Sequence, residues 1–297
     1  MSWKFDAIPD QSGRIAIVTG ANAGIGFAAA DALAAKGATV ILACRSRERG
    51  EDALARLTAK NPSAKAELWM LDLSDLESVR SFARDFGEAH DRLDMLINNA
   101  GVMIPPAAKT NDGFELQIGV NFLGHFALTG LLLDLLEATP DSRVVTLSSL
   151  AHRTGRIDFD SFRTTNGYKA LREYGQSKLA CLMFTLELQR RLEARGSKVA
   201  SLAAHPGGTK TDLQRHNGLI NFGTQLFGMP AQQGALPTLF AATEPSARGG
   251  DYIGPGGIAE IRGYPKRAKI AGRAKNTAVG KRLWEVAEEY TGVSYPR

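Results

Sequence analysis

The stretch RIAIVTGANAGIGFAAADALAAKG, residues 14–37, decides the fold. It opens with a short β-branched apolar run that predicts a buried strand, and its alanine-rich second half has helical spacing. Between these halves Gly20, Gly24 and Gly26 allow a sharp turn and a close approach of the backbone to a ligand. A strand, a glycine turn and a helix in this order predict a nucleotide-binding βα unit, with a purely structural turn as the alternative.

The same alternation of apolar runs and helical segments continues outward from this unit. We expect strands at Arg14–Thr19, Ala38–Ala43, Glu67–Leu71, Leu93–Ile97, Arg143–Ser148, Lys198–Ala204 and Asp251–Ile253. We expect helices at Gly26–Lys36, Glu48–Lys60, Leu76–Ala89, Asn111–Leu136, Glu173–Arg195 and Ala231–Ala242. The pattern predicts a single-domain α/β fold of the Rossmann type, a doubly wound parallel sheet of about seven strands with helices on both faces.

Composition narrows the class of protein. The 297 residues are 44% hydrophobic, which suits one large domain, and we expect residues 14–210 to form the cofactor and catalytic core and 211–297 the substrate loop and carboxy-terminal segment. The net charge of +5 is scattered, which argues against nucleic acid as a partner. Cys44 and Cys181 have no disulfide or metal-site spacing, and no signal peptide or membrane span is evident, so a metal-free cytoplasmic protein is expected.

The end of the second predicted strand bears on the choice of cofactor. It reads ACRSR at residues 43–47, with no acidic residue before Glu48. A carboxylate at this place would bind the ribose 2′-hydroxyl of NAD, whereas a cation suits the 2′-phosphate of NADP. Arg45 therefore favours NADP(H), with Arg47 as a second candidate contact for the phosphate, unless both are only solvated loop charges. Asp72 after the third strand is a candidate acceptor for the adenine amino group, or a cap for the next helix.

Tyr174 is the only one of six tyrosines with a lysine four residues later, Lys178. This spacing places both side chains on one face of a helix. A nearby ammonium favours the phenolate, which makes a phenol usable as an acid and base near neutral pH. In isolation the pair is equally consistent with an exposed helix that carries both residues by chance.

Taken together, these motifs resemble the short-chain dehydrogenase/reductase family from Arg14 to Tyr264. The resemblance rests on motifs in a fixed order: TGANAGIG at Thr19–Gly26, Asp72, NNAG at Asn98–Gly101, Asn121, Ser148-Ser149, Tyr174 with Lys178, and Pro206-Gly207 with Thr209 and Thr211. Within the family, ACRSRERGE at 43–51, SSLAH at 148–152 and GPGGIAEIRGYP at 254–265 are similar to the retinol dehydrogenase and protochlorophyllide reductase branch.

The resemblance implies an NADP(H)-dependent oxidoreductase that interconverts an alcohol and a carbonyl group. By it, Tyr174 is the acid and base, Lys178 lowers the tyrosine pKa and holds the nicotinamide ribose, Ser149 binds the reacting oxygen, and Asn121 holds a water that links Lys178 to solvent. In such pairs the second serine usually faces the site, although Ser148 competes. The implied cofactor contacts are Gly20, Asn22, Ala23, Gly24, Ile25, Gly26, Arg45, Asp72, Leu73, Asn99, Ala100, Gly101, Tyr174, Lys178, Pro206, Gly207, Thr209 and Thr211.

Two segments depart from a minimal fold. The gap between Ser149 and Tyr174 is long, and we expect residues 152–173 to shape substrate entry, with Tyr168 structural or a substrate contact. The apolar Asp212–Pro230 segment predicts a loop over a lipophilic substrate, although its side chains could instead pack on the core or on another subunit. The resemblance also allows a homo-oligomer, since the helices that carry Asn121 and Tyr174 often form subunit interfaces in this family.

Three other functions could share parts of this sequence pattern. A hydrolase would need a G-x-S-x-G elbow, and the residues around Ser148 lack both glycines, which leaves His152 as a simple loop histidine. A sugar-nucleotide epimerase would carry T-G-x-x-G-x-x-G and a longer carboxy-terminal domain. A regulatory protein that senses NADP(H) on the same fold is the remaining alternative; such proteins typically lose the tyrosine or the lysine, and this chain keeps both.

Overall fold

A computed structural model describes residues 2–209 and 229–296 of the chain. The described part has eight strands: β1 Ile15–Thr19, β2 Thr39–Cys44, β3 Lys65–Met70, β4 Met95–Asn98, β5 Arg143–Leu147, β6 Ala200–Ala204, β7 Tyr252–Pro255 and β8 Pro265–Arg267. They form one sheet in the order β3-β2-β1-β4-β5-β6-β7-β8. All neighbours are parallel except β7 and β8, which pair antiparallel.

Helices cover both faces of this sheet. The α-helices are α1 Gly24–Ala35, α2 Arg47–Lys60, α3 Leu76–Ala89, α4 Leu116–Ile118, α5 Gly124–Leu131, α6 Leu133–Ala138, α7 Ala170–Ala194, α8 Ala231–Thr243 and α9 Thr277–Thr291. Apolar residues of α1, α2 and α8 bury one face, and those of α3, α5, α7 and α9 bury the other. The prediction of a doubly wound Rossmann-type α/β fold is confirmed.

The strand order reverses direction beside β1, since the chain runs outward through β2 and β3 and then returns to add β4 on the other side. At such a switch point the connections leave in opposite directions, and a crevice opens at the carboxyl ends of the strands. The ends of β1, β2, β4 and β5 therefore border the same crevice. This is the edge where the sequence places Gly20, Arg45, Asn99 and Ser149.

The helix predicted at Asn111–Leu136 is interrupted. Residues up to Glu115 form a turn, α4 follows, a π-helical turn spans Gly119–Leu123, and a break at Leu132 separates α5 from α6. A side chain at Gly119 would collide with Thr110, and one at Gly124 would meet the carbonyl oxygen of Leu73 at 2.6 Å. The wide turn is thus seated against two neighbouring segments, and it fixes the position of Asn121.

The carboxy-terminal helix α9 and the short strand β8 were absent from the sequence prediction. Asn276 caps α9 by accepting from the backbone N–H of Val279, and Gly292 ends it with a φ of 67°. Trp284 of α9 lies in an aromatic cluster with Phe126 of α5, Phe184 of α7 and Tyr295. The chain thereby covers the outer faces of α5 and α7 with its own residues. Within the described ranges no helix is both long and apolar enough to cross a bilayer.

Candidate active site

A cleft of about 620 Å³ opens at the carboxyl ends of the parallel strands. Every site residue predicted from the sequence lines it, except Asn121, which lies behind its wall, and Thr211, which is outside the described residues. The cleft is also lined by residues that were not predicted: Ala43, Arg49, Leu71, Val102, Met103, Pro105, Val120, Leu147, Ser148 and Gly208.

The glycine turn between β1 and α1 forms one end of the cleft. Gly20 and Gly24 have positive φ values of 66° and 56°, which L side chains rarely adopt. A side chain at Gly26 would collide with the Asn99 amide and the Gly20 carbonyl, so the turn can close only with glycine there. No side chain caps the amino terminus of α1, whose N-cap is Ala23. Its N–H groups and positive dipole end are available to an anion.

Two cations face this end of the cleft. Arg45 follows β2, and Arg49 lies in the first turn of α2, where its backbone N–H donates to the Ser46 hydroxyl. Neither guanidinium has an acidic partner among the residues that the structure describes. Arg47, which the sequence suggested as a second phosphate contact, lies outside this cleft and pairs with Glu51 at 3.9 Å. The second cation in the cleft is therefore Arg49 and not Arg47. Ser46 is the N-cap of α2, and this start point decides which helix residues face the cleft.

Asp72 and Leu73 line the adjoining wall. One carboxylate oxygen of Asp72 accepts from the backbone N–H and the hydroxyl of Ser74, at 2.9 and 2.6 Å. The cap of α3 is Asp75, which accepts from Glu77 and Ser78. Asp72 thus shapes the turn before α3 without capping the helix. Among the described residues only Oδ1 of Asp72 has a partner, so its role as an adenine acceptor stays a prediction.

Tyr174 and Lys178 lie on α7 at the opposite end of the cleft. The Lys178 ammonium is 6.0 Å from the centre of the Tyr174 ring. It donates to the Leu147 carbonyl at 3.0 Å, and the residue is 6% exposed. No described carboxylate pairs with Lys178, and no described residue hydrogen-bonds the Tyr174 hydroxyl. A buried cation thus faces a phenol that is open to the cleft.

The two serines after β5 have different surroundings. Ser148 is buried, and its hydroxyl donates to the Lys178 carbonyl at 2.8 Å. Ser149 is partly exposed, and its Oγ accepts from the backbone N–H of Ala151 at 3.2 Å. Because that contact uses a lone pair, the hydroxyl proton of Ser149 is free to point into the cleft. Ser148 fixes α7 to β5 instead.

Asn121 is 1% exposed and lies behind the cleft wall, which it stabilises by hydrogen bonds. Its amide accepts from the Val102 N–H at 2.8 Å and donates to the Val102 carbonyl and the Ser177 hydroxyl. These bonds seat the loop after β4 against α7. The water-holding role implied by the family resemblance stays a prediction.

The sequence reasoning missed His125, which is 1% exposed and lies one turn after Asn121. Its Nδ1 donates to the Asn121 carbonyl at 3.0 Å, so Nε2 accepts from the Thr19 hydroxyl at 2.9 Å. That same Thr19 oxygen accepts from the backbone N–H groups of Asn99 and Ala100. Burial lowers the pKa of His125 to about 4, which keeps the ring neutral. The ring thereby ties β1, the loop after β4 and the π-helical turn together.

Pro206, Gly207 and Thr209 follow β6 and close the remaining side of the cleft. Gly207 has a φ of 67°, and the Thr209 hydroxyl donates to the Pro206 carbonyl at 2.8 Å. Thr211 and most of the Asp212–Pro230 segment lie outside the described residues. The predicted substrate loop therefore stays a prediction.

Tyr168 lies in a structural network, one of the two readings given by the sequence. Its hydroxyl donates to the Pro105 carbonyl at 2.7 Å and accepts from the Gln117 amide at 3.1 Å. Burial is the largest cause that raises its pKa to about 12, so it is a poor acid and base near neutral pH. Cys44 and Cys181 are buried free thiols, and burial raises the pKa of each.

Sequence comparison places this arrangement among known proteins. The sequence model of the family described as short chain dehydrogenase matches residues 14–219. The chain is 40% identical to human retinol dehydrogenase 11, over 95% of this chain and 86% of that protein. It is 41% identical to mouse polyprenol dehydrogenase, over 96% of this chain and 86% of that protein.

Solved structures of other proteins are similar to this chain as well. A crystal structure of a protein from Mycobacterium Paratuberculosis has a TM-score of 0.84 and 41% sequence identity, with both chains covered fully. A protein from Escherichia coli CFT073, assigned as a short chain dehydrogenase and complexed with NADPH, has a TM-score of 0.66 and 25% identity. That match covers 82% of this chain and 96% of the other.

Proposed function

The chain belongs to the short-chain dehydrogenase family, oxidoreductases that act on CH–OH and C=O groups, and from this premise we propose that it uses NADP(H) with Tyr174 as acid and base. The observation that carries the proposal is the arrangement of one cleft. Arg45 and Arg49, which have no acidic partner among the described residues, lie at one end, and Tyr174, Lys178 and Ser149 lie at the other. A cofactor with a phosphate at one end and a reactive ring at the other matches this polarity.

The residues at the cofactor end fit NADP(H) chemically. A pyrophosphate would occupy the glycine turn, where side chains are excluded and the uncapped amino terminus of α1 offers N–H groups. The 2′-phosphate would meet Arg45 and Arg49, and NADPH in the E. coli relative supports this choice over NAD. When bound, the cofactor supplies or accepts the hydride. The other binding roles predicted from the sequence are proposed with it.

The chain's own residues then handle the proton. In carbonyl reduction Tyr174 donates its phenolic proton to the carbonyl oxygen, and in alcohol oxidation it takes that proton back. Lys178 places a buried positive charge near this phenol, with no acidic partner among the described residues to offset it. Ser149 donates its free hydroxyl proton to the same substrate oxygen. Asn121 is proposed to hold the water that links Lys178 to solvent.

The substrate is proposed to be a lipophilic alcohol or carbonyl compound of isoprenoid type. Retinol and polyprenol, which name two relatives, share an allylic primary alcohol at the end of an isoprenoid chain. The cleft near Tyr174 adds apolar walls from Val102, Met103 and Pro105. Apolar walls of this kind favour an apolar substrate over a polar one.

A kinetic screen of the purified protein tests the proposal. Oxidation of NADPH is followed with retinal, a short polyprenal, a steroid ketone, a quinone and acetone, and the reverse reaction with the matching alcohols. We expect turnover with the isoprenoid aldehydes and little with acetone. NADPH binding without turnover of any substrate would favour the alternative, a regulatory protein that senses NADP(H), although the presence of both Tyr174 and Lys178 supports the enzyme.

Three further parts of the proposal concern the whole chain. We propose that residues 14–210 hold the cofactor and chemistry, whereas 211–297 shape the substrate site. A cytoplasmic location is proposed because Cys44 and Cys181 are unpaired thiols, as a reducing compartment would leave them. A homo-oligomer is possible but would need a face other than the part of α5 and α7 that α9 covers.

A further inference from the structure

A buried histidine behind Ser149 has no part in the proposed reaction. His152 is 0% exposed and lies on the 3-10 turn Leu150–Arg153, which Ser149 caps. Its Nδ1 is 2.6 Å from the carbonyl oxygen of Ser149, and its backbone N–H donates to the same oxygen at 3.0 Å. A carbonyl oxygen only accepts, so the proton of the ring is on Nδ1.

The opposite nitrogen of the ring has a partner that fits this tautomer. The backbone N–H of Ala271 donates to Nε2 at 3.4 Å, across 119 residues of sequence. A backbone N–H needs a lone pair, which Nε2 has only when the proton is on Nδ1. Burial is the largest cause that lowers the pKa of His152, in keeping with a neutral ring. His152 therefore bridges the Ser149 carbonyl and the carboxy-terminal segment.

Tyr252 packs against the His152 ring. The two rings meet edge to face at 90°, with their centres 5.3 Å apart. Tyr252 is the first residue of β7, is 1% exposed, and pairs with Ala203 of β6. The imidazole is thus packed against the sheet, which restricts its rotation away from Ser149.

The carboxy-terminal segment contacts the same region at two more points. Arg153 pairs with Glu260 at 2.6 Å, and the other oxygen of Glu260 accepts from the Lys269 N–H at 3.0 Å. Arg273 donates to the Gly155 carbonyl at 2.5 Å. Together with the bond from the Ala271 N–H to His152, these two contacts brace the turn that follows Ser149 and the residue Gly155 just after it.

We infer that His152 is a positioning residue for Ser149, which it holds through the Ser149 carbonyl so that Oγ stays aimed into the cleft. This inference rests on the proposed function. Ser149 must lie within hydrogen-bond reach of the substrate oxygen, and a displacement of about 1 Å in such a group can cost on the order of 100-fold in rate. The residues proposed to hold the cofactor's phosphates line the other end of the cleft, so the affinity for NADPH should hardly depend on His152.

Three substitutions at His152 distinguish the contributions of its two ring nitrogens. His152→Asn places an amide N–H where Nδ1 lies and keeps the bond to Ser149, whereas His152→Gln extends toward Nε2 and His152→Leu removes both contacts. With the best aldehyde of the screen, we expect kcat of H152L to fall about 10- to 100-fold, with H152N within about 3-fold of wild type and H152Q between them. The Kd for NADPH, measured by fluorescence, should change less than about 2-fold.

A milder variant covers the case in which a core substitution prevents folding. Ala271 has a φ of −63°, the value that proline imposes, so Ala271→Pro removes only the N–H that reaches Nε2. We expect a loss of about 2- to 3-fold in kcat, the same as for H152N, with an unchanged Kd for NADPH. In parallel, ¹⁵N spectra of histidine-labelled protein, with His152 assigned from its loss in H152N, should show a neutral ring protonated on Nδ1 between pH 6 and 8.

The outcomes distinguish this inference from the proposed function. If wild type has no turnover, or Tyr174→Phe remains active, the proposed function fails while the tautomer measurement still stands on its own. If turnover depends on Tyr174 but H152L matches wild type, or H152N is as impaired as H152L, the positioning role is wrong. A ring protonated on Nε2, or parallel losses of kcat, NADPH affinity and melting temperature in all variants, would likewise overturn it.

Discussion

The Lys178 ammonium lies 6.0 Å from the centre of the Tyr174 ring and is held there by the Leu147 carbonyl at 3.0 Å. The bond ties the cation to the end of β5, so the two residues keep their separation without any contact between their polar atoms. Ser148 supports the same place by donating to the Lys178 carbonyl. The charge near the phenol is thus set by the sheet as well as by the spacing on α7.

Tyr174→Phe should abolish turnover while leaving NADPH affinity nearly unchanged, because the change removes only the transferable proton. Loss of a general acid and base typically costs about 10²- to 10⁴-fold in rate. The matched control is Tyr168→Phe, whose hydroxyl is bound to Pro105 and Gln117 and which should keep most activity. Lys178→Ala should impair both turnover and cofactor binding. Near-normal kcat in Tyr174→Phe would refute the assignment.

Local spacing explains why the cleft was largely predictable. The glycine turn, the Tyr174–Lys178 spacing and the strand ends follow from a few neighbouring residues, and parallel strands bring their carboxyl ends to one edge. The choice of Ser149 over Ser148 fits the surroundings of each hydroxyl. The fold class followed from the same alternation of strands and helices.

The features that the sequence did not predict depend on contacts between residues far apart in the chain, or on the residue at which a helix begins. His152 has its partner at Ala271, and a lone histidine after a strand carries no sign of that bond. Arg49 faces the cleft because Ser46 starts α2, and capping by Ser46 was the local signal that would have separated Arg49 from Arg47. Helix α9 carried its own signals, the Asn276 cap and Gly292, which were overlooked.

Trp284→Ala should lower the free energy of unfolding by about 3–5 kcal/mol, the usual cost of truncating a buried large aromatic residue. Trp284 is 2% exposed and packs against Phe126, Phe184 and Tyr295. Denaturant titration measures the loss, and Trp284→Phe should lose clearly less. Since this cluster also covers α5 and α7, the alanine variant should self-associate more in sedimentation. An unchanged unfolding midpoint would show that α9 contributes little.

His125 predicts a specific acid sensitivity. Its pKa is lowered by burial from 6.5 to about 4, so between these values the unfolded chain binds one proton that the folded chain does not. The stability contributed by the neutral ring is present above about pH 6.5 and is lost as pH falls toward 4, by about 1.4 kcal/mol per pH unit. His125→Asn cannot titrate, so its unfolding free energy should fall less steeply over this range. Parallel pH profiles for the two proteins would contradict the prediction.

The last prediction concerns cofactor choice, since NADPH and NADH differ only by the 2′-phosphate. The wild-type protein should prefer NADPH, because Arg45 and Arg49 face the cleft without an acidic partner among the described residues. A charge-assisted contact of this kind contributes about 10- to 150-fold in affinity. Arg45→Asp should erase or reverse the preference, and Arg49→Glu should reduce it.

Arg47→Glu is the matched control, because Arg47 carries the same charge two residues from each of the others but lies outside the cleft beside Glu51. It should leave the preference within about 3-fold of wild type, the scale expected of an exposed charge screened by solvent. Titrations at two salt concentrations separate contact from general attraction: NADPH affinity should fall with salt and NADH affinity much less. Equal affinities of the wild type for NADPH and NADH would show that Arg45 is a solvated loop charge. An equal loss of NADPH preference in all three variants would show that the net charge of the region selects the cofactor, and no particular guanidinium.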